Sequence, residues 1–279
     1  MMKRLKKLTA LLTAIGMVAA MSACGSDAAS SAAASSAASA GTDAAPAATE
    51  AAAPAEAGSA ADGDTYLIGI CQLVQHEALD AATQGFKDAL TEKLGDKVKF
   101  DEQNASGDSA NCSTIVNGFV SENVDLILAN ASSALQAAAS ATGDIPVLGT
   151  AVTEYGVALN IPDFNGTVGT NVSGTSDLAP LDQQAAMIPE WCPDAKTVGL
   201  LYCSAEANSQ YQVDTVQAAL EALGLTCTQY PFSDTNDMAS VTQTAADNSD
   251  VLYVPTDNTI ANNTGIVDNI CHGKIPVFA

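Results

Sequence analysis

The residues of this chain able to do chemistry are few and mostly neutral. His76 lies just past an apolar strand-like run ending at Cys71-Gln72, and invites a metal or acid–base role. The chain has only two histidines. Neither HxH nor HExxH spacing occurs, and Cys271-His272 has no companion ligand in sequence, so a metal is not expected. His76 reads as a solvated helix-start residue or a polar ligand contact. There is no G-x-S-x-G elbow and no phosphate-binding Gly-Lys-Ser/Thr loop, so nucleophilic and nucleotide chemistry lack their parts. No cofactor is expected. Hydroxyls cluster at Ser132, Ser133, Thr150 and Thr153, each at the end of an apolar run. There they can donate to a carboxylate or cap a helix. Asp257, after Val254-Pro255, can receive an ammonium group or cap the helix that follows. Asp177 has the same two readings: a partner near a hinge, or a helix cap. Tyr155, Phe164 and Tyr202 offer stacking surfaces for an apolar ligand, or core.

Charge narrows the partners. Lys+Arg number 10 against 32 Asp+Glu, for a formal charge of −22. Four of the bases (Lys3, Arg4, Lys6 and Lys7) sit at the N-terminus, and no arginine follows Arg4. Nucleic acid is excluded as a partner, because phosphate binding needs clustered bases. The remaining lysines (87, 93, 97, 99, 196 and 274) fall before strands or on the first helix and its exit. A ligand carboxylate therefore has to rely on helix-start N–H groups and hydroxyls.

The elements that hold these residues alternate. Strands are expected over 65–71, 98–102, 124–129, 145–149 and 167–171, with helices over 78–94, 109–121 and 132–141. The order then repeats: strands 197–202, 226–231, 251–254 and 275–279, and helices 205–223, 237–248 and 259–271. Continuous apolar strands separated by helices imply parallel sheets buried on both faces. Ile68-Gly69-Ile70 aligns with Val198-Gly199-Leu200, and Ile145-Pro146-Val147 with Ile275-Pro276-Val277 at the same spacing, so the chain reads as a duplication. The expectation is an α/β protein of two doubly wound lobes, 64–178 and 179–279, crossing near 173–181. A ligand cleft lies beyond the carboxyl ends of the strands. The last repeat stops on an apolar strand, so a closing C-terminal segment is expected beyond Ala279.

Residues 1–23 read as a signal peptide, with a basic start and an apolar stretch too short to span a bilayer. Met21-Ser22-Ala23-Cys24-Gly25 resembles a bacterial lipobox, which implies lipidation of Cys24. Residues 24–63 are Ala/Ser-rich, without aromatic or branched aliphatic residues, and read as a disordered tether. Together these place the folded part on the extracytoplasmic face of the cell membrane. The other cysteines (71, 112, 192, 203, 227 and 271) form no CxxC pair. Spacing assigns no bridges, and buried free thiols are the plainer reading.

The run Ile68-Gly-Ile-Cys-Gln72-Leu-Val-Gln-His76-Glu-Ala-Leu79-Asp80 resembles the opening of the substrate-binding lipoproteins of ABC transporters. The branch is one that includes binders of tryptophan and other aromatic amino acids. Pro146-Val-Leu-Gly-Thr150-Ala-Val-Thr153, Asn171-Val-Ser-Gly174-Thr-Ser-Asp177, Ser204-Ala-Glu-Ala-Asn208-Ser209 and Pro255-Thr-Asp257-Asn258-Thr259 extend the likeness over the whole globular part. It departs at Asn130-Ala131-Ser132-Ser133, where the family has a Gly-Thr-Pro-like turn, and at Glu154-Tyr155, where it tends to have Asp-Pro. The resemblance implies a type I periplasmic-binding-protein fold whose lobes close by a hinge over a small ligand. It also implies a monomer that serves an ABC permease. The candidate ligand contacts are Gln72, His76, Asn130, Ser132, Ser133, Thr150, Thr153, Asp177, Asn208, Thr256, Asp257 and Asn258. The expected solute is a zwitterion with an apolar or aromatic side chain. A sugar receptor of the same fold, and an extracellular enzyme on a duplicated scaffold, are the alternatives. The sugar reading wants more aromatic platforms, and the enzyme reading lacks a catalytic constellation.

Overall fold

A computed structural model of the protein describes residues 65–279. The expected signal peptide, the Cys24 lipidation site and the tether lie outside the described residues. The first half runs β1 (Tyr66–Gln72), α1 (Glu77–Leu94), β2 (Val98–Asn104), α2 (Ser109–Glu122), β3 (Leu126–Asn130), α3 (Ser132–Ala141), β4 (Val147–Val152), α4 (Tyr155–Ala158) and β5 (Val172–Ser176). The second runs α5 (Leu181–Trp191), β6 (Thr197–Cys203), α6 (Ala207–Ala222), β7 (Thr226–Phe232), α7 (Thr235–Asn248), β8 (Val251–Tyr253), α8 (Asn258–Ala261), α9 (Thr264–Cys271) and β9 (Val277–Phe278). Every strand pairing is parallel, and the sheet orders are β2-β1-β3-β4-β5 and β7-β6-β8-β9. The first four strands of each half thus occupy the same places, as the internal repeat requires.

Burial on both faces explains the unbroken apolar strands. In the first sheet Ile68, Ile70 and Leu128 face α1, with Phe86 and Leu90 packed on them. Cys71, Phe119, Ile127 and Leu135 form the opposite face. In the second, Leu200, Val213, Val216 and Tyr253 fill one side, and Leu201, Met238 and Leu252 the other. Each fully buried aliphatic or aromatic side chain contributes about 1.5–3 kcal/mol, so these faces dominate the stability. Among the described residues, no helix is long and apolar enough to cross a membrane.

Three local expectations need correction. The strand expected over 167–171 is irregular. Gly166 and Gly169 hold φ of 92° and 75°, which breaks extended pairing, and the strand forms later as β5 beside β4. The single helix expected over 259–271 is two helices, α8 and α9, parted by Asn262 and Asn263. Helices α4 and α5, unassigned from sequence, fill the stretches on either side of β5.

Candidate functional site

The carboxyl ends of both sheets point into one cleft. Its cavity measures about 380 Å³ and is walled from both halves. The first half supplies Leu73 and Val74 after β1, the turn 106–109 between β2 and α2, and Ser133 at the start of α3. The second supplies Cys203, Ala205 and Glu206 after β6, residues 233–235 after β7, and Asn258, Thr259, Asn262 and Asn263 after β8. That volume suits one amino-acid-sized solute. Helix α6 packs against α3 and α4, closing one side.

The wall carries three carboxylates (Asp108, Glu206 and Asp234) and no lysine or arginine. Asp108 and Asp234 each accept a backbone N–H, from Ala110 at 2.8 Å and Asn236 at 2.7 Å, and so cap α2 and α7. Glu206 is 4% exposed and organises the opposite rim. Its Oε2 accepts from Asn258 N at 3.1 Å and Asn258 Nδ2 at 2.7 Å, and its Oε1 accepts from Thr259 N and Thr259 Oγ1, both at 2.8 Å. With Asn208 Nδ2 at 3.4 Å these bonds take up the four lone-pair sites of the carboxylate, so Glu206 offers an ammonium group in the cavity its negative charge rather than a free acceptor. Opposite it, the first turn of α3 opens on the cleft through Ser133. Ala131, its N-cap residue, supplies no side-chain acceptor, which leaves helix-start N–H groups for an anion.

Among the described residues, one side-chain hydrogen bond crosses the cleft. His76 Nε2 lies 3.3 Å from Asn258 Oδ1. Because Asn258 Nδ2 is committed to Glu206, its Oδ1 must accept, and the proton of the bond sits on His76 Nε2.

The other expected residues fall into three groups. Gln72 and Asn130 belong to a buried network under the first-half wall. Thr83 Oγ1 donates to Gln72 Oε1 at 2.6 Å, Gln72 Nε2 donates to Asp80 Oδ1 at 2.6 Å, and Asn130 Nδ2 donates to Thr83 Oγ1 at 2.9 Å. Asn130 Oδ1 is buried without a partner. Ser132 is buried beside Ser133, while Thr150, Thr153 and Asp177 gather where β4 and β5 end. Asp177 N donates to Val152 O at 3.1 Å and the Thr153 hydroxyl bonds its carboxylate. Asp177 does not cap α5, whose N-cap is Pro180. Asn208, Thr256 and Asp257 brace the second-half turn. Asn208 Nδ2 donates to Thr256 O at 3.0 Å. Asp257 takes the capping role: Oδ1 accepts from Ile260 N at 2.9 Å and Oδ2 from Cys203 N at 2.7 Å, and the residue is 3% exposed. Of the twelve expected contacts, Ser133 and Asn258 line the cavity, and His76 reaches it through Asn258. Tyr155, Phe164 and Tyr202 do not line it: Tyr155 hydroxyl donates to Gly149 O, Phe164 packs in the first core, and Tyr202 binds Gln210 and Gln229.

Glu206 was not singled out from sequence. It lay inside the quoted run Ser204-Ala-Glu-Ala-Asn208, but its partners Asn258 and Thr259 come from a distant segment, so only the fold shows what it holds.

Residues 67–279 match the family of ABC transporter substrate binding proteins. The chain belongs to that family. A tyrosine-binding protein of Clostridioides difficile (strain R20291) is 38% identical over 216 residues, covering 76% of this chain and 62% of the relative. The chain thus spans less than two thirds of that relative's length. A Streptococcus pneumoniae ABC domain in complex with L-Trp is 35% identical with a TM-score of 0.72, covering 77% of this chain and 73% of that one. A ligand-free, open substrate binding protein with adhesive properties from Clostridium difficile is 37% identical, covers 77% and 74%, and superposes with a TM-score of only 0.54. At nearly equal identity, the chain superposes better on the Trp-bound structure than on the ligand-free, open one. The fold is that of the type I periplasmic binding proteins, shared at 19% identity with a leucine binding protein of Thermotoga maritima.

Proposed function

We propose that this protein is the solute receptor of an ABC importer and binds a zwitterionic amino acid with an aromatic or apolar side chain between its lobes. The observation that carries the reading is the charge layout of the cleft: three carboxylates and no lysine or arginine around the cavity, with a helix start in its wall that lacks a side-chain cap. An ammonium group lies in the negative field of Glu206, a carboxylate takes Ser133 and the first N–H groups of α3, and the side chain lies against Leu73 and Val74. Dicarboxylates and phosphosugars meet uncompensated negative charge there. The relative named as tyrosine-binding and the structure solved with L-Trp support the aromatic class. The protein hands its solute to a membrane permease and is held at the membrane by lipid on Cys24. A Cys24→Ser chain that stays with the membrane after processing would refute the anchor.

Calorimetry of the purified full-length protein against the twenty amino acids, several dicarboxylates and simple sugars tests the site. Tight binding is expected for an aromatic or large apolar amino acid. Glu206→Gln removes the negative charge that an ammonium group meets there and should weaken binding by roughly tenfold. Preference for a dicarboxylate or sugar, or wild-type affinity in Glu206→Gln, would overturn the assignment.

A further inference from the structure

Cys71 and Cys112 lie on facing surfaces of β1 and α2, both fully buried in the same core. Their register follows from the packing around them. Gly69 and Cys71 point to one face of β1, since alternate strand residues share a face. Phe119 and Cys112 lie two helical turns apart on one face of α2. A Cβ on Gly69 would stand 2.6 Å from the Phe119 ring, which shows how closely strand and helix approach. Because α2 runs back against the strand direction, Cys112 near its start meets Cys71 near the strand's end. Both are free thiols in the structure, and each is the largest influence on the other's ionisation, which places them side by side.

We propose that Cys71 and Cys112 are the site of a disulfide in the exported protein. Proteins of this family work outside the cytoplasm, where disulfides persist. The contact with Cys112, together with burial, pushes the Cys71 thiol far up, while the Cys71 S–H pulls Cys112 down. Before the two surfaces meet, either cysteine can attack first as its thiolate, and the product is the same. The oxidant is the disulfide of a thiol-oxidising oxidoreductase or of a small-molecule disulfide. Cys112 Sγ⁻ bonds to one of its sulfurs and expels the other as thiolate. Cys71 Sγ⁻ then attacks Cys112 Sγ and releases the second. Two protons leave the cysteines, and two electrons reduce the oxidant to its dithiol. Both sulfurs are shut from solvent in the folded protein, so the exchange belongs to folding after export, before α2 seats on β1. The bridge would fix the distance between two parts of the cleft wall. Leu73 and Val74 follow Cys71 directly, and the turn 106–109 leads into the helix of Cys112. The two parts already meet through Gly107 N donating to Leu73 O at 2.8 Å.

The test is a peptide map of full-length protein secreted into an oxidising compartment, denatured and alkylated with iodoacetamide without reductant. The expected product joins the peptide of Cys71 to that of Cys112, neither carrying alkyl. Reductant should lower the melting temperature by about 10 °C, and a Cys112→Ala chain should melt lower and ignore reductant. Full alkylation of both cysteines, or a crosslink of either to another cysteine, would overturn the proposal. Solute binding is read separately by calorimetry, so failure here leaves the receptor assignment standing.

Discussion

Asp257 and Glu206 crowd two carboxyl groups into the start of α8, and only Glu206 opens on the cavity. Burial, with the nearby Glu206 charge second, pushes the Asp257 carboxyl up to about 7 from its ordinary 3.8, against the pull of the Cys203 and Ile260 N–H groups. The consequence for stability has a definite sign. Between the two values the folded chain keeps a proton that the unfolded chain has released. Stability therefore falls as pH rises through that window, by at most about 1.4 kcal/mol per pH unit, and levels off above about pH 7. Asp257→Asn cannot titrate but keeps an oxygen for the cap. Urea unfolding at pH 5 and pH 8 should show wild type losing stability relative to the variant. A difference that stays constant with pH would mean that Asp257 titrates normally in the fold. The sequence offered this residue as ammonium partner or cap. It could not decide, because the decision rests on Cys203 N, which a distant strand delivers.

At the scale of elements, the parallel strands were legible because burial on both faces leaves no polar alternation to misread. The stretch between α4 and β5 was not, since its glycine turns and single-turn helix carry no period. The start of α3 holds a strained backbone behind the cleft wall. Ala131 sits at φ 91° and ψ 159°, a region left almost wholly to glycine, and is fully buried. Bonds on both sides hold it there: its N–H donates to Thr150 O and its carbonyl accepts from Leu135 N, each at 3.0 Å. Strain of about 1–3 kcal/mol, less about 1 kcal/mol for the freedom of glycine in the unfolded chain, makes Ala131→Gly stabilising by roughly 1 kcal/mol. Thermal unfolding checks it. A less stable variant would show that the Ala131 methyl contributes more packing than its backbone costs.

Across the whole molecule, closure depends on what joins the lobes when the cleft is shut. Sequence repeats disclosed two lobes and the end at which they meet. They could not disclose the bond between His76 and Asn258, whose partners lie in different halves. That bond ends a chain that begins on an acid lining the cavity: Glu206 fixes the Asn258 amide, and the amide fixes which atom His76 meets. An open protein gives up the His76 contact but keeps the Glu206 one, because both of its partners belong to the second half. The contact thus favours the closed form by the worth of one hydrogen bond, about 0.5–1.5 kcal/mol, or roughly twofold to tenfold in the closure equilibrium. Since solute leaves only after opening, His76→Ala should speed dissociation by that factor and leave association nearly unchanged. His76→Gln, which can also donate, should recover part of the loss. Stopped-flow fluorescence with the solute found by calorimetry separates the two rates. Wild-type dissociation in His76→Ala would show that the bond adds nothing to closure, and a loss confined to association would place His76 on the entry path instead.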